Sequence, residues 1–212
     1  GMAAGDEINF TANLSQFTGT LSVINNDKLE ASIVDGKVVL AAKPVAKIGE
    51  QGYATIKDAV AAVKESETIT ILAGTHSEGT IKLPATLKNV TIKGAEGAEL
   101  KDMTISAADG NAYSYIGLTF ENLTFDNGRL IFTGWRTGEE TIEDLTITGC
   151  TFKGGVNGIE LWIKGTYSAS LDLVNSSVSG GVYAHDEFSS NPGIVNNGTL
   201  KLTADEATTG TD

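Results

Sequence analysis

The chain has 212 residues, 41% apolar and 20% charged, with 25 glycines and 3 prolines; that is too apolar for disorder and too rich in turn formers for a helical bundle. The formal net charge of −12 repels phosphate backbones and anionic membranes, which excludes nucleic acid as a partner class. A single cysteine, Cys150, allows no intrachain disulfide and no thiolate metal site, and no run of about 18 apolar residues suits a membrane span.

The N-terminus, Gly1 to Glu7, lacks the basic and apolar regions of a signal peptide, and Gly1 before Met2 reads as a tag-cleavage scar. Residues 1–44 read as a small β appendage. Within it, Ser32-Ile33-Val34-Asp35-Gly36-Lys37-Val38-Val39-Leu40 sets Asp-Gly between apolar runs, a strong hairpin signal. Residues 45–67 read as a linker and one helix over 54–64, whose Ile56, Ala59, Val60 and Val63 share a helical face. That helix is expected to cover the open end of a stack of strands beginning at residue 68, because uncovered strands expose core side chains and unpaired backbone groups.

Residues 68–212 carry an internal repeat. Leu118-Thr119-Phe120-Glu121-Asn122-Leu123-Thr124-Phe125 aligns with Leu145-Thr146-Ile147-Thr148-Gly149-Cys150-Thr151-Phe152 and with Leu171-Asp172-Leu173-Val174-Asn175-Ser176-Ser177-Val178, at offsets of 27 and 26 residues. Alternation turns Leu118, Phe120, Leu145, Ile147, Leu171 and Leu173 inward and Thr119, Glu121, Thr146 and Asp172 outward. The turn falls at Asn122, Gly149 and Asn175, residue types that tolerate left-handed backbone. A second ladder runs through Leu130 and Phe132, then Ile159, Leu161 and Ile163, then Val182 and Ala184, giving two sheets per coil. Cys150 aligns with Leu123 and is expected to act as a small core side chain. The fold class is all-β: a right-handed parallel β-helix with an N-terminal capping helix and a small β appendage.

Val45-Ala46-Lys47-Ile48-Gly49-Glu50-Gln51-Gly52-Tyr53-Ala54-Thr55-Ile56-Lys57-Asp58-Ala59-Val60, continuing through Glu67 to Gly74, resembles the opening of pectin-lyase-like β-helices and looks like modules of large, adhesin-like surface proteins of gut bacteria. The resemblance implies a solenoid capped by the helix, and an extracellular or cell-surface location. Gly74-Thr75-His76-Ser77-Glu78 also resembles the glycine-x-tyrosine-x-glutamate element of pectin methylesterases, with His76 in the place of tyrosine. The two aspartates and the arginine of the remaining esterase pattern have no counterpart here.

Lyase chemistry needs a base and a cation to neutralise a uronate, and hydrolysis needs two carboxylates about 5–10 Å apart. Asp126, Arg129, Arg136, Glu139, Glu140 and Glu143 cluster in sequence, but Glu139 to Asp144 reads as a solvated loop. No catalytic residue, metal ligand or cofactor is assigned, and His76 and His185 read as turn or surface residues. The binding candidates are aromatic. In Ile159-Glu160-Leu161-Trp162-Ile163-Lys164 the alternation turns Glu160, Trp162 and Lys164 outward, and matching Gly158 to Gly181 sets Tyr183 beside Glu160 and His185 beside Trp162, about 4.8 Å away. Trp135 and Arg136 fall in a loop near the same face. An exposed Trp beside Tyr, His and charged groups suits stacking on a sugar ring. Cross-strand aromatic pairs also stabilise a sheet by about 0.2–1 kcal/mol with no ligand, so both readings stand. The expected function is a non-catalytic, adhesin-like or structural surface module that binds glycans weakly or contacts host or cell-surface proteins, as a monomer or as one module of a longer chain. The alternative is a polysaccharide-active enzyme on the same scaffold.

Overall fold

The computed structural model describes residues 3–8, 14, 17–24, 28–108, 113–132, 141–154, 158–162, 168–185 and 199–211. The chain divides into two compact units, Gly1–Pro44 and Val45–Asp212. The first is a three-stranded antiparallel sheet of Glu7–Ile8, Leu29–Val34 and Lys37–Ala42. Asp35 and Gly36 turn the hairpin with φ of 50° and 76°, and Val34 pairs with Lys37. Two successive positive φ angles match the right-handed twist of the flanking strands.

The second unit is a parallel β-solenoid. Each coil contributes short strands to three sheets. The first sheet stacks Thr68–Ile71, Thr91–Gly94, Thr119–Glu121, Thr141–Thr148, Ser168–Val174 and Thr199–Ala204. The second stacks Gly74–His76, Ala98–Lys101, Thr124–Asp126, Thr151–Lys153, Ser177–Ser179 and Thr209–Thr211. The third stacks Thr80–Lys82, Thr104–Ser106, Arg129–Phe132, Ile159–Trp162 and Val182–His185. The expectation of two sheets per coil is corrected to three, because the backbone bends at three corners rather than one. One corner column comprises Ser66, Asn89, Gly117 and Asp144 (φ 63°, 52°, 64°, 54°); the next Asn122, Gly149 and Asn175 (53°, 61°, 45°); the third Asp102, Asn127, Gly154 and Gly180 (51°, 51°, 59°, 74°). Only the middle column follows from the repeat alignment.

Tight corners force close approach between coils. A Cβ at Gly149 would lie 2.3 Å from Asn122 Oδ1, and one at Gly94 would lie 2.3 Å from the Asn122 carbonyl oxygen. In the third column the Asn127 amide nitrogen, Nδ2, donates to Asp102 Oδ1 at 2.6 Å, one rung supporting the corner of the next.

The alternation within each strand follows the expected register. Ile69, Ile92, Phe120, Ile147 and Leu173 stand one above another in the first sheet, all buried. Leu100, Phe125, Phe152 and Val178 do so in the second, where the Phe125 and Phe152 rings stack at 4.5 Å. Ile81, Ile105, Leu130 and Ile159 do so in the third. Each such side chain contributes about 1.5–3 kcal/mol of burial, which no single coil could supply by closing on itself. Cys150 occupies the Leu123 position, is buried, and burial pushes its thiol up to about 11. Ser176 takes the same position one coil on; its Oγ lies 2.9 Å from the Val174 carbonyl and accepts from the Cys150 amide at 3.2 Å, which satisfies a polar group among apolar neighbours.

The N-terminal end of the solenoid is closed. Ala46–Ile48 pairs antiparallel with both Gln51–Tyr53 and Thr68–Ile71, and the helix, α1, spans Ile56–Ala62 with Ile56, Ala59 and Val60 buried. Its first turn is fully capped. Thr55 Oγ1 accepts from the Asp58 amide at 3.0 Å, while the Glu78 carboxylate accepts from Ile56 N at 2.7 Å and Lys57 N at 3.0 Å. Thr141–Asp144, expected in a loop, belongs to a strand, because Thr141, Ile142 and Glu143 pair with Ser114, Tyr115 and Ile116 and bury Ile142.

Candidate functional site on the third sheet

The outward residues of the third sheet form one column, Lys82, Ser106, Ile131, Glu160 and Tyr183, fixed by the register of five parallel strands. Its exposure is uneven. Ser106 is buried and donates to the Ala107 carbonyl, Ile131 is half-buried, and Tyr183 at the last rung is 47% exposed. The same register sets Glu160 opposite Tyr183 and Trp162 opposite His185. The strands thus bring together four of the candidate residues on two adjacent rungs. Lys164, Trp135 and Arg136 lie outside the described residues.

Glu160 does not stand alone. Its side chain retains 14% of its exposure, and Oε2 lies 3.7 Å from Arg129 Nη1, whose side chain is 46% exposed. Arg129 and Ile131 therefore belong to this surface, and the sequence reading missed both, having grouped Arg129 with Asp126 and the acidic run after it. The structure separates that group: Asp126 lies on the second sheet between Lys101 and Lys153, whereas Arg129 lies on the third. The signal was present in the pairing of Leu130 with Ile159, which carries Ile131 to Glu160. An ion pair this exposed is worth at most about 1 kcal/mol; its effect is to orient the carboxylate.

The esterase-like element has a structural occupation. Both carboxylate oxygens of Glu78 are taken by helix amides, and His76 Nε2 lies 2.8 Å from the Leu72 carbonyl oxygen, to which it can only donate. Both side chains thereby tie the first coil to the closed end. Elsewhere, a groove of about 390 Å³ opens beside the first corner of the second coil, lined by Gly94, Glu96, Gly97, Glu99, Asn122 and Thr124 among others. Glu99 is held there by Thr75 at 3.3 Å and Lys153 at 3.5 Å. Among the described residues, no three His, Cys, Asp or Glu side chains gather in a metal-binding arrangement, and no helix is long and apolar enough to cross a membrane.

These features define a parallel β-solenoid with a capped N-terminal end and a mixed aromatic and charged outer face. Compared with protein-family models, curated proteins and solved structures, the chain matches none.

Proposed function

We propose that this chain is a non-catalytic, extracellular surface module of the adhesin-like kind, which binds glycans weakly on the outer face of its third sheet. The observation that carries this reading is the pairing of Glu160 with Tyr183 and of Trp162 with His185 on neighbouring rungs, with Tyr183 exposed and Glu160 oriented by Arg129. Sugar rings stack on aromatic faces while polar neighbours take their hydroxyls. A sheet face buries far less of a ligand than a pocket does, so affinity is low for a single site and useful chiefly in multivalent display. The resemblance of residues 45–78 to pectin-lyase-like solenoids supports a cell-surface setting. The use of both Glu78 carboxylate oxygens as acceptors for helix amides favours a structural over a catalytic part for the esterase-like element.

A glycan array probed with the wild type and with Trp162→Ala tests the reading. Binding to a defined subset of glycans, lost in Trp162→Ala, is expected. Glycan binding that survives the substitution refutes the site, and release of unsaturated or de-esterified uronates from polygalacturonan refutes the non-enzymatic reading.

A further inference from the structure

Side chains do not cover the outer face of the third sheet evenly. Leu130 pairs with Ile159, and Ile159 with Val182, so the residues just before them, Arg129, Gly158 and Gly181, stand one above another in a column begun by Thr80 and Thr104. Beyond Arg129 this column carries no side chain for two rungs. A Cβ at Gly158 would lie 3.0 Å from both the Ser179 carbonyl oxygen and Val178 Cγ1, whereas one at Gly181, where φ is 67°, would meet nothing within 4 Å. Bare backbone thus borders Glu160 and Tyr183 in the next column, and glycine is the residue that lets a ligand approach main chain closely.

Arg129 leans across this bare strip towards Glu160. Their contact of 3.7 Å is longer than the about 2.7–2.9 Å of a direct charge-assisted hydrogen bond. A group that only donates and a group that only accepts therefore stand side by side without closing on each other. In the Glu160 column the half-buried Ile131 lies one rung below and Tyr183, 47% exposed, one rung above, each about 4.8 Å away.

We propose, resting on the reading that this face takes glycans, that the sugar it selects is an N-acetylated amino sugar. An acetamido group carries one N–H donor, one carbonyl acceptor and a methyl group. The N–H donates to the Glu160 carboxylate, the carbonyl accepts from a guanidinium N–H of Arg129, the methyl covers Ile131 and the sugar ring lies on Tyr183. Other sugar classes leave part of this surface unmet. A neutral hexose offers hydroxyls to the charged pair and nothing apolar to Ile131. A uronate or sulfated sugar brings an anion up to Glu160 in a chain of net charge −12, and an unacetylated amino sugar brings a cation up to Arg129; like charges repel in both cases.

The test is binding of the full chain to immobilised multivalent conjugates of N-acetylglucosamine and N-acetylgalactosamine, set against glucose, galactose, glucosamine and glucuronate. At least one N-acetylated conjugate is expected to bind about tenfold or more tightly than its parent hexose, since hydrogen bonds to two charged groups exceed the free energy of one decade. Ile131→Thr keeps a β-branched side chain on the strand and Arg129→Gln keeps a polar one. Both are expected to lower that ratio towards one with an unchanged circular dichroism spectrum, an effect on selectivity that mere loss of folded protein does not produce. Equal binding of acetylated and parent sugars, or preference for glucuronate, with all binding lost in Trp162→Ala, overturns the acetamido assignment and leaves the glycan face standing. A ratio unchanged in both variants overturns the placement on Arg129 and Ile131. Absence of binding to every conjugate overturns the assignment together with the glycan reading beneath it.

Discussion

Replacing Glu78 by alanine removes the acceptors for two helix amides at once. Ile56 is fully buried, so its N–H, now 2.7 Å from Glu78 Oε1, would be left with no acceptor and little access to water; an unsatisfied buried donor costs about 1–3 kcal/mol. The Lys57 amide is exposed and can be rehydrated, so its loss adds little beyond the interaction of the carboxylate with the helix N-terminus, about 0.3–1 kcal/mol. The sum is about 1.3–4 kcal/mol, against about 1 kcal/mol for Thr55→Ala, which removes one exposed capping bond. For the second unit this amounts to a drop in Tm of several degrees. Because each rung touches only its neighbours, the damage is expected to be local. Hydrogen exchange is expected to accelerate at the first rungs, over residues 68–82, and to stay slow in the rungs around Phe120 and Ile147. Glu78→Gln keeps one acceptor oxygen and is expected to fall between alanine and wild type. Thermal melts together with hydrogen exchange decide the matter. Glu78→Ala with wild-type stability and unchanged exchange at Ile69 and Ile71 would refute the capping role.

Burial sets two more expected outcomes. Leu145→Ala is expected to cost about 2–5 kcal/mol through lost transfer energy and a cavity in the stack, while Thr146→Ala, on the outer face, is expected to cost little; chemical denaturation measures both, and equal costs would show the inward register to be wrong. The Cys150 thiol is pushed up to about 11 from its ordinary 9 by burial. The unfolded chain therefore ionises first, and stability is expected to be level below about pH 9 and to fall between 9 and 11. In the native protein at neutral pH the thiol is expected not to react with a thiol reagent until the chain unfolds.

The inward columns were legible because a strand repeats every two residues, and a shift of one would have turned Leu118 and Phe120 out with Thr119 in. The helix was legible from Ile56, Ala59 and Val60, although its ends moved inward to the Thr55 cap and to Ala62. The number of sheets was not, because long segments aligned at 26 and 27 residues conceal a shorter spacing within each coil. Gly117, Asn122 and Asn127, like Asp144, Gly149 and Gly154, stand five apart, and each marks a corner with positive φ. That five-residue beat is the signal that would have given three faces. At the outer site, pairing of Glu160 with Tyr183 follows from glycine spacing and is local in kind. The contact of Glu160 with Arg129 runs diagonally between rungs and depends on side-chain reach, which no strand period encodes.

The rungs do not advance evenly along the chain. From Ile69 to Ile92, Phe120, Ile147, Leu173 and Ala204 the steps are 23, 28, 27, 26 and 31 residues. Most of the variation falls between the third sheet and the next first sheet: 11 residues from Ile81 to Ile92, but 22 from Val182 to Ala204. Closing a longer connection costs only about 0.6 kcal/mol for each doubling of its length, and the hydrogen-bonded ladders on either side fix where its ends must lie. The molecule thus has a side on which length is nearly free. A peptide spliced into that seam would be presented at a set height along the stack, one per coil, which makes the chain a natural frame for displaying several inserts in register.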